Sequence, residues 1–287
     1  MNPYPAALST LDCPNMPFTT IDSLQNPRIK RIKGLRQKRQ RDREGLFLLE
    51  GERELDRGID AGVEATQIVL CPELFKHGEA SEALHQKLLQ ESTPVIYLAR
   101  NVFEHCSYRE NPDGFLACCK TFKIALADLT LSQNPLLLIL ESVEKPGNLG
   151  SLLRTADAAG VDAIILNDPA TDIFNPNVIR ASAGVVFQVP TTTASVEETE
   201  TFLRNNGIQT VATTPRASDL YYLSDLASPS AILLGSEKDG LSQFWLNQAD
   251  VKTSLPMSGQ ADSLNVSASA AIVLFEAVRQ RAKIAPQ

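Results

Sequence analysis

Histidine and cysteine are scarce in this 287-residue chain, and both run out before residue 120. The three histidines (His77, His85, His105) and five cysteines (Cys13, Cys71, Cys106, Cys118, Cys119) leave everything beyond without an imidazole or a thiol. A histidine base, a cysteine nucleophile and a Cys/His zinc site are thereby excluded from that stretch, and no metal is expected. An odd number of cysteines without C-x-x-C spacing argues for free thiols in a reducing compartment. No apolar run approaches the ~20 residues needed to span a bilayer. The start of the chain also lacks a basic segment leading into an apolar one. A cytoplasmic protein with no membrane partner is the expectation. Residues 1–20, with four prolines before Phe18, are expected to form a flexible tail. Neither G-x-G-x-x-G nor G-x-x-x-x-G-K-[ST] occurs where it could bind a ligand, which removes the usual dinucleotide and P-loop readings.

Net charge is −7, which by itself disfavours a nucleic-acid partner, but the charge is unevenly spread. Between Arg28 and Arg43 there are nine Lys/Arg and one acid, Asp42. Asn26-Pro27 reads as an N-cap and first-turn proline, and Ile29, Ile32 and Leu35 recur every three residues. The spacing predicts one helix docked by a narrow apolar face, with Arg28, Lys30, Arg31, Lys33, Lys38, Arg39 and Arg41 around it. Such a cation excess on an acidic background favours phosphate binding over a merely solvated face.

Apolar runs and turn signals divide the chain into a small α/β unit over 21–124, a linker over 125–135 and a larger α/β unit over 136–287. In the first, strands are expected at 46–49, 67–71, 95–98 and 115–119, with helices at 50–61 and 81–90. In the second, strands at 136–140, 162–166, 209–213 and 231–234 alternate with helices near 151–159, 195–206 and 242–248. A last helix spans 267–281. That alternation argues for a parallel sheet with helices on both faces. The most informative stretch is Pro146-Gly147-Asn148-Leu149-Gly150, read as a turn after the first of these strands, then a helix from Ser151 carrying an inward-aimed Arg154. Glycine lets backbone approach a ligand, and a helix N-terminus offers free N–H groups.

Two later blocks complete a pattern: Gly235-Ser236-Glu237-Lys238-Asp239-Gly240-Leu241, and Leu255-Pro256-Met257-Ser258-Gly259 followed by Asp262-Ser263-Leu264-Asn265-Val266-Ser267. In this order and spacing the three blocks resemble the SpoU/TrmH-type RNA ribose 2′-O-methyltransferases of the SPOUT superfamily, over roughly residues 136 to 282. Lys145 departs from the Asp many relatives carry there. Ile21 to Pro27, Glu50-Gly51 and Asn111-Pro112-Asp113-Gly114 resemble the ribosomal-protein-like, RNA-gripping domain fused in front of many ribosomal-RNA members.

The resemblance implies a parallel-sheet SPOUT domain with a deep C-terminal trefoil knot, a homodimer, S-adenosylmethionine as cofactor and RNA, most often ribosomal, as substrate. It implies that backbone at Gly235, Leu255 and Leu264 holds the adenosyl group, with Thr213, Met257 and Ser263 lining the pocket. Arg154 is implied to act on the target ribose, with Asn148 and Asn265 orienting it or the substrate. Glu237 is open to two roles, pairing with a cation or holding its own loop. Arg180 is open to contact with RNA phosphate or to a surface salt bridge. Methyl transfer suits a site without histidine or cysteine, since the sulfonium is already activated and the protein mainly positions two reactants. A transfer-RNA substrate, or a non-catalytic RNA-binding or ribosome-assembly protein on the same scaffold, remain the alternatives.

Overall fold

The computed structural model describes residues 20–282. The expected tail lies outside them except for Thr20, as does Cys13. The first half of the chain forms β1 (Thr20–Ile21), α1 (Pro27–Gly34), α2 (Lys38–Glu44), β2 (Leu46–Glu50), α3 (Glu52–Asp60), β3 (Ala65–Leu70), α4 (Glu79–Gln90), β4 (Val95–Leu98), α5 (Arg100–Cys106) and β5 (Phe115–Lys120). Its strands lie in the order β1-β4-β3-β5-β2. They run parallel where β4 meets β1 and β3, and antiparallel where β5 meets β3 and β2.

The basic segment is two helices, not the single one its spacing predicts. Asn26 caps α1 by accepting from the Arg28 amide at 2.9 Å, and Pro27 follows in the first turn. Ile29, Ile32 and Leu35 are buried with Leu48, Val69 and Phe103. The three-residue apolar repeat ends at Leu35, and the chain turns before Lys38. Arg41 makes that turn possible. Expected among the solvated cations, it is instead only 2% exposed. Its guanidinium donates to the Leu35 and Arg36 carbonyls at 3.3 and 2.9 Å, groups that the end of α1 leaves free. It also pairs with Asp172 of the second half at 2.8 Å.

The second half forms β6 (Leu136–Glu141), α6 (Pro146–Ala158), β7 (Ala163–Asn167), α7 (Pro176–Ala181), β8 (Thr191–Thr193), α8 (Val196–Asn205), β9 (Gln209–Thr213), β10 (Ser230–Leu234), α9 (Gln243–Gln248), β11 (Val251–Thr253) and α10 (Val266–Ala282). Every pairing in this sheet is parallel, in the order β11-β9-β10-β6-β7-β8. Alternate residues serve opposite faces. Leu136, Leu138 and Leu140 pack with residues of α6, α7 and α10, whereas Leu137 and Ile139 pack with Leu203 of α8 and Trp245 of α9. Trp245 is fully buried, and its indole N–H donates to Asn167 Oδ1 at 3.2 Å. One expectation needs correcting: α6 starts at Pro146 rather than Ser151, so Pro-Gly-Asn is its first turn. Proline fits there because its missing N–H has no intrahelical acceptor to lose.

The apolar core is continuous between the two sheets. Phe47 on β2 lies 4.7 Å from Phe174 and 5.8 Å from Phe187, ring centre to ring centre, and Phe122 meets Phe174 edge-on at 5.2 Å. Arg57 on α3 reaches across to the Ala183 carbonyl at 2.7 Å. Cys71, Cys106, Cys118 and Cys119 are buried and unpaired. Burial pushes the thiols of Cys71 and Cys106 up to about 11 and that of Cys118 to about 12, so they stay protonated and unreactive at neutral pH.

Removing one partner of a buried ion pair leaves the other poorly compensated. Asp172 keeps some contact with water, so Arg41→Met is expected to lower stability by about 2–4 kcal/mol. Urea unfolding checks this; a change near zero would mean the pair does not hold the halves together.

Candidate active site at the carboxyl ends of the parallel strands

β6 and β10 are neighbours, yet the chain leaving β6 enters α6 on one face of the sheet while that leaving β10 enters α9 on the other. The crevice between such diverging connections is where open parallel sheets take ligands. Three segments distant in sequence meet there. Asn148, in the first turn of α6, donates through its side-chain amide to Glu237 in the loop after β10. Asn265 donates to Asn148 Oδ1 at 3.3 Å. The Ser267 hydroxyl donates to the Asn148 carbonyl at 3.2 Å, and the Ser267 amide donates to Asn265 Oδ1 at 2.9 Å, capping α10. Below this cluster the buried Glu141, last residue of β6, accepts from the Ser242 amide at 2.7 Å and so fixes the start of α9. Ser142 and Asp168, just past β6 and β7, adopt left-handed backbone with φ of 54° and 44°. Strain of this kind gathers where a site is being shaped.

The residues expected to hold a cofactor share the same edge. Thr213 ends β9, Gly235 directly follows β10, and Leu255 lies two residues past β11. Thr213 Oγ1 is buried without a hydrogen-bond partner among the described residues, a cost that a polar ligand group would relieve. Leu255 is half-buried, while Met257, Ser263 and Leu264 are exposed on the loop before α10. An orphaned hydroxyl at the end of β9, with accessible Leu and Met side chains on the segment that follows the neighbouring β11, fits the nucleoside part of S-adenosylmethionine. Gly235 has a nearer reason to be glycine than ligand approach. A β-carbon there would sit 2.0 Å from the Gly240 carbonyl carbon, across the bridge by which Ser236 and Gly240 close their loop.

Arg154 is not aimed inward. It is exposed on α6, with no hydrogen bond or ion pair to any described residue. The first half's expected RNA contacts, Arg28, Lys30, Arg31, Lys33, Lys38 and Arg39, are all exposed. Arg31 pairs with Glu44 at 2.5 Å, Lys38 with Asp42 at 2.7 Å, and Lys33 lies 3.0 Å from the His105 ring. Arg28, Lys30 and Arg39 have no partner among the described residues. Arg180 stands apart from both groups, in the cleft between the halves, with Asn177 Oδ1 accepting from it at 3.3 Å. Sequence reasoning missed the other residues of that cleft, notably Tyr108 and Asn177. The Asn175-Pro176 pair was a readable signal for α7: the Asn175 side chain caps it as Asn26 caps α1.

Among the described residues no cluster of three or more His, Cys, Asp or Glu could hold a metal ion, and no helix is long and apolar enough to cross a membrane.

Residues 135–275 match the SpoU rRNA Methylase family, and residues 26–117 match the MRM3-like substrate binding domain. The chain is 31% identical over 275 residues to an uncharacterized tRNA/rRNA methyltransferase of Synechocystis sp., covering 92% of this chain and 95% of that one. It is 27% identical to the 23S rRNA (guanosine(2553)-2′-O)-methyltransferase RlmP of Bacillus subtilis, covering 89% and 97%. Among solved structures, an RNA 2′-O ribose methyltransferase superposes with a TM-score of 0.81 at 38% identity, covering 92% of this chain and all of the other. An AdoMet-bound rRNA methyltransferase from Sinorhizobium meliloti superposes equally well, with a TM-score of 0.81 at 32% identity over 91% and 97% of the two chains.

Proposed function

The chain belongs to the SpoU rRNA methylase family, and from that premise we propose that it methylates a ribose 2′-hydroxyl of ribosomal RNA, using S-adenosylmethionine. The observation that carries this reading is the meeting of Asn148, Glu237 and Asn265 at the switch point of the sheet. A scaffold retired from catalysis has no reason to keep three polar side chains from three loops in mutual contact beside an orphaned Thr213 hydroxyl. The RlmP relative is named as a 23S rRNA 2′-O-methyltransferase, which favours ribosomal over transfer RNA. The family fold also carries the trefoil knot. Here α10 is tied down by Arg281, which donates to the carbonyls of Asn134, Pro135, Leu226 and Ser228.

S-adenosylmethionine, when bound, supplies a methyl group on an already activated sulfonium. Thr213, Leu255, Met257, Ser263 and Leu264, with backbone at Gly235, are the residues we assign to holding it. Asn148 and Asn265 orient the ribose, and Glu237 keeps Asn148 in place. A ribose hydroxyl must lose its proton, and a guanidinium, which holds its own proton at any ordinary pH, is a poor base. We therefore assign Arg154 to clamping the hydroxyl or its phosphate, with the proton leaving late or passing to a phosphate oxygen. We assign residues 21–124 to gripping RNA and 136–287 to catalysis.

A homodimer completes the proposal. Leu223, 73% exposed, lies on the 221–223 turn packed against α10, and Phe275 on α10 is 48% exposed. We assign these side chains, on two elements packed together, to the surface that a second copy would cover.

Three outcomes are expected. Arg154→Ala should bind S-adenosylmethionine with wild-type affinity in calorimetry while methyl transfer to ribosomal RNA falls by about 10² or more; unchanged transfer would remove Arg154 from the mechanism. Replacing Arg28, Lys30 and Arg39 with Gln should flatten the salt dependence of RNA binding by about 2 units of log–log slope, since each phosphate contact on a single strand contributes roughly 0.7. An unchanged slope would leave α1 and α2 as a solvated face only. Light scattering should report a dimer for the wild type and a monomer for Phe275→Glu.

A further inference from the structure

Tyr108 is an aromatic side chain fixed in place yet left open. Its backbone amide donates to Glu50 Oε2 at 2.7 Å, and Glu50 itself is buried. The Ser107 hydroxyl and the Arg109 amide donate to the other oxygen of the same carboxylate, so the whole 107–109 turn is clamped on the end of β2. From the opposite half of the molecule, the Asn177 side-chain amide donates to the Tyr108 hydroxyl at 2.7 Å. The Arg36 guanidinium lies 5.9 Å from the ring centre and is itself held by the His105 and Cys106 carbonyls at 3.2 and 3.1 Å. With backbone, hydroxyl and ring all engaged, Tyr108 is still 39% exposed.

The ring lines a cleft of about 620 Å³ between the halves, together with Arg53, Glu54, Arg109, Asn177 and Arg180. Glu54 is nearly buried, and its charge is met by Arg109 at 2.7 Å and Arg53 at 3.5 Å. Three arginines and two glutamates, Glu54 and Glu110, thus line the cleft, and among the described residues the exposed guanidinium of Arg180 keeps only one hydrogen bond, to Asn177. A rigid π-face, flanking guanidinium groups and a side-chain amide are the features by which proteins hold an unpaired base. Held from three elements, the ring has little side-chain entropy left to lose on binding.

We propose that this cleft seats one unpaired RNA base on Tyr108, with Arg180 on a neighbouring phosphate. The inference rests on the reading of the protein as RNA-directed. The second site is coupled to the first by a single helix. Asn177 and Arg180 belong to α7, and α7 crosses α6 at Gly150, two residues past Asn148. The seated nucleotide thus orients the RNA strand relative to the ribose that Asn148 and Arg154 are assigned to handle.

The test compares binding of short oligoadenylate with that of an abasic ribose-phosphate oligomer of equal length, at fixed salt. The wild type should prefer the oligomer with bases by about tenfold, the scale of one stacked base. Tyr108→Leu, which fills the volume without a ring, should abolish that preference, while Tyr108→Phe keeps it. Arg180→Gln should weaken both ligands alike. A folded Tyr108→Leu protein that retains the preference, or a wild type that shows none, overturns the proposal. Methyl transfer to ribosomal RNA is scored separately: its absence in a wild type that keeps the base preference would overturn the catalytic reading and leave this one standing.

Discussion

The crossing of α6 and α7 at Gly150 is the contact on which the rest of the architecture depends. A β-carbon at that position would lie 2.4 Å from the Ala181 β-carbon, 2.8 Å from the Val178 carbonyl oxygen and 2.9 Å from the Ser182 amide. Even alanine would push the helices apart. α6 carries Asn148 and Arg154, whereas α7 carries Asn177 and Arg180 and follows directly on the loop holding Asp172. Separating the two would strip Arg41 of its partner, withdraw Asn177 from Tyr108 and loosen the packing of Phe174 on Phe47. The polar cluster at Asn148, the inter-sheet core and the cleft at Tyr108 are therefore set by one small residue.

Charge in this protein is organised by place rather than by total. A chain with net charge −7 repels polyphosphate at long range, yet α1 and α2 present Arg28, Lys30 and Arg39 without partners among the described residues. The Debye length at physiological salt is ~8 Å, so RNA close to that surface responds to these cations and hardly to acids elsewhere. Arg41, from the same cluster, does the opposite work. It gives up water entirely to close the turn between the helices and to reach Asp172. One basic stretch thus supplies both an exposed cationic surface and part of the scaffold behind it.

Much of this was legible in the sequence. The four inner strands of the parallel sheet fall within a residue or so of their predicted places, and β6, β7 and β10 do so because each holds an apolar run bounded by turns, as at Leu136 to Leu140. Asn148, Glu237 and Asn265 could be singled out from their motifs, although their mutual contact could not. What escaped has physical reasons. β8 and β11 are three-residue edge strands, too short to carry a pattern. The break between α1 and α2 depends on Arg41 finding carbonyls and a carboxylate, partners that exist only once the halves are packed. Tyr108 gave no periodic signal, because its position is fixed by a carboxylate 58 residues away and an amide 69 residues away. The first turn of α6 reads as a tight turn before the helix because Pro-Gly-Asn resembles turn chemistry, while proline at the first helical position is equally regular.

The burial of Trp245 gives the molecule a reporter of its own. It is the chain's one tryptophan, enclosed between α8, α9 and the face of the parallel sheet turned away from α6. Emission excited at the red edge of protein absorption therefore comes from that layer alone, while the first half, which has tyrosine and phenylalanine only, stays dark. Backbone circular dichroism sees both halves. If the continuous core makes the two sheets one cooperative unit, the two signals coincide through unfolding. If the first sheet loosens on its own, the dichroism changes while the tryptophan remains in its apolar surroundings, and the gap between the curves measures how independently the first half can open.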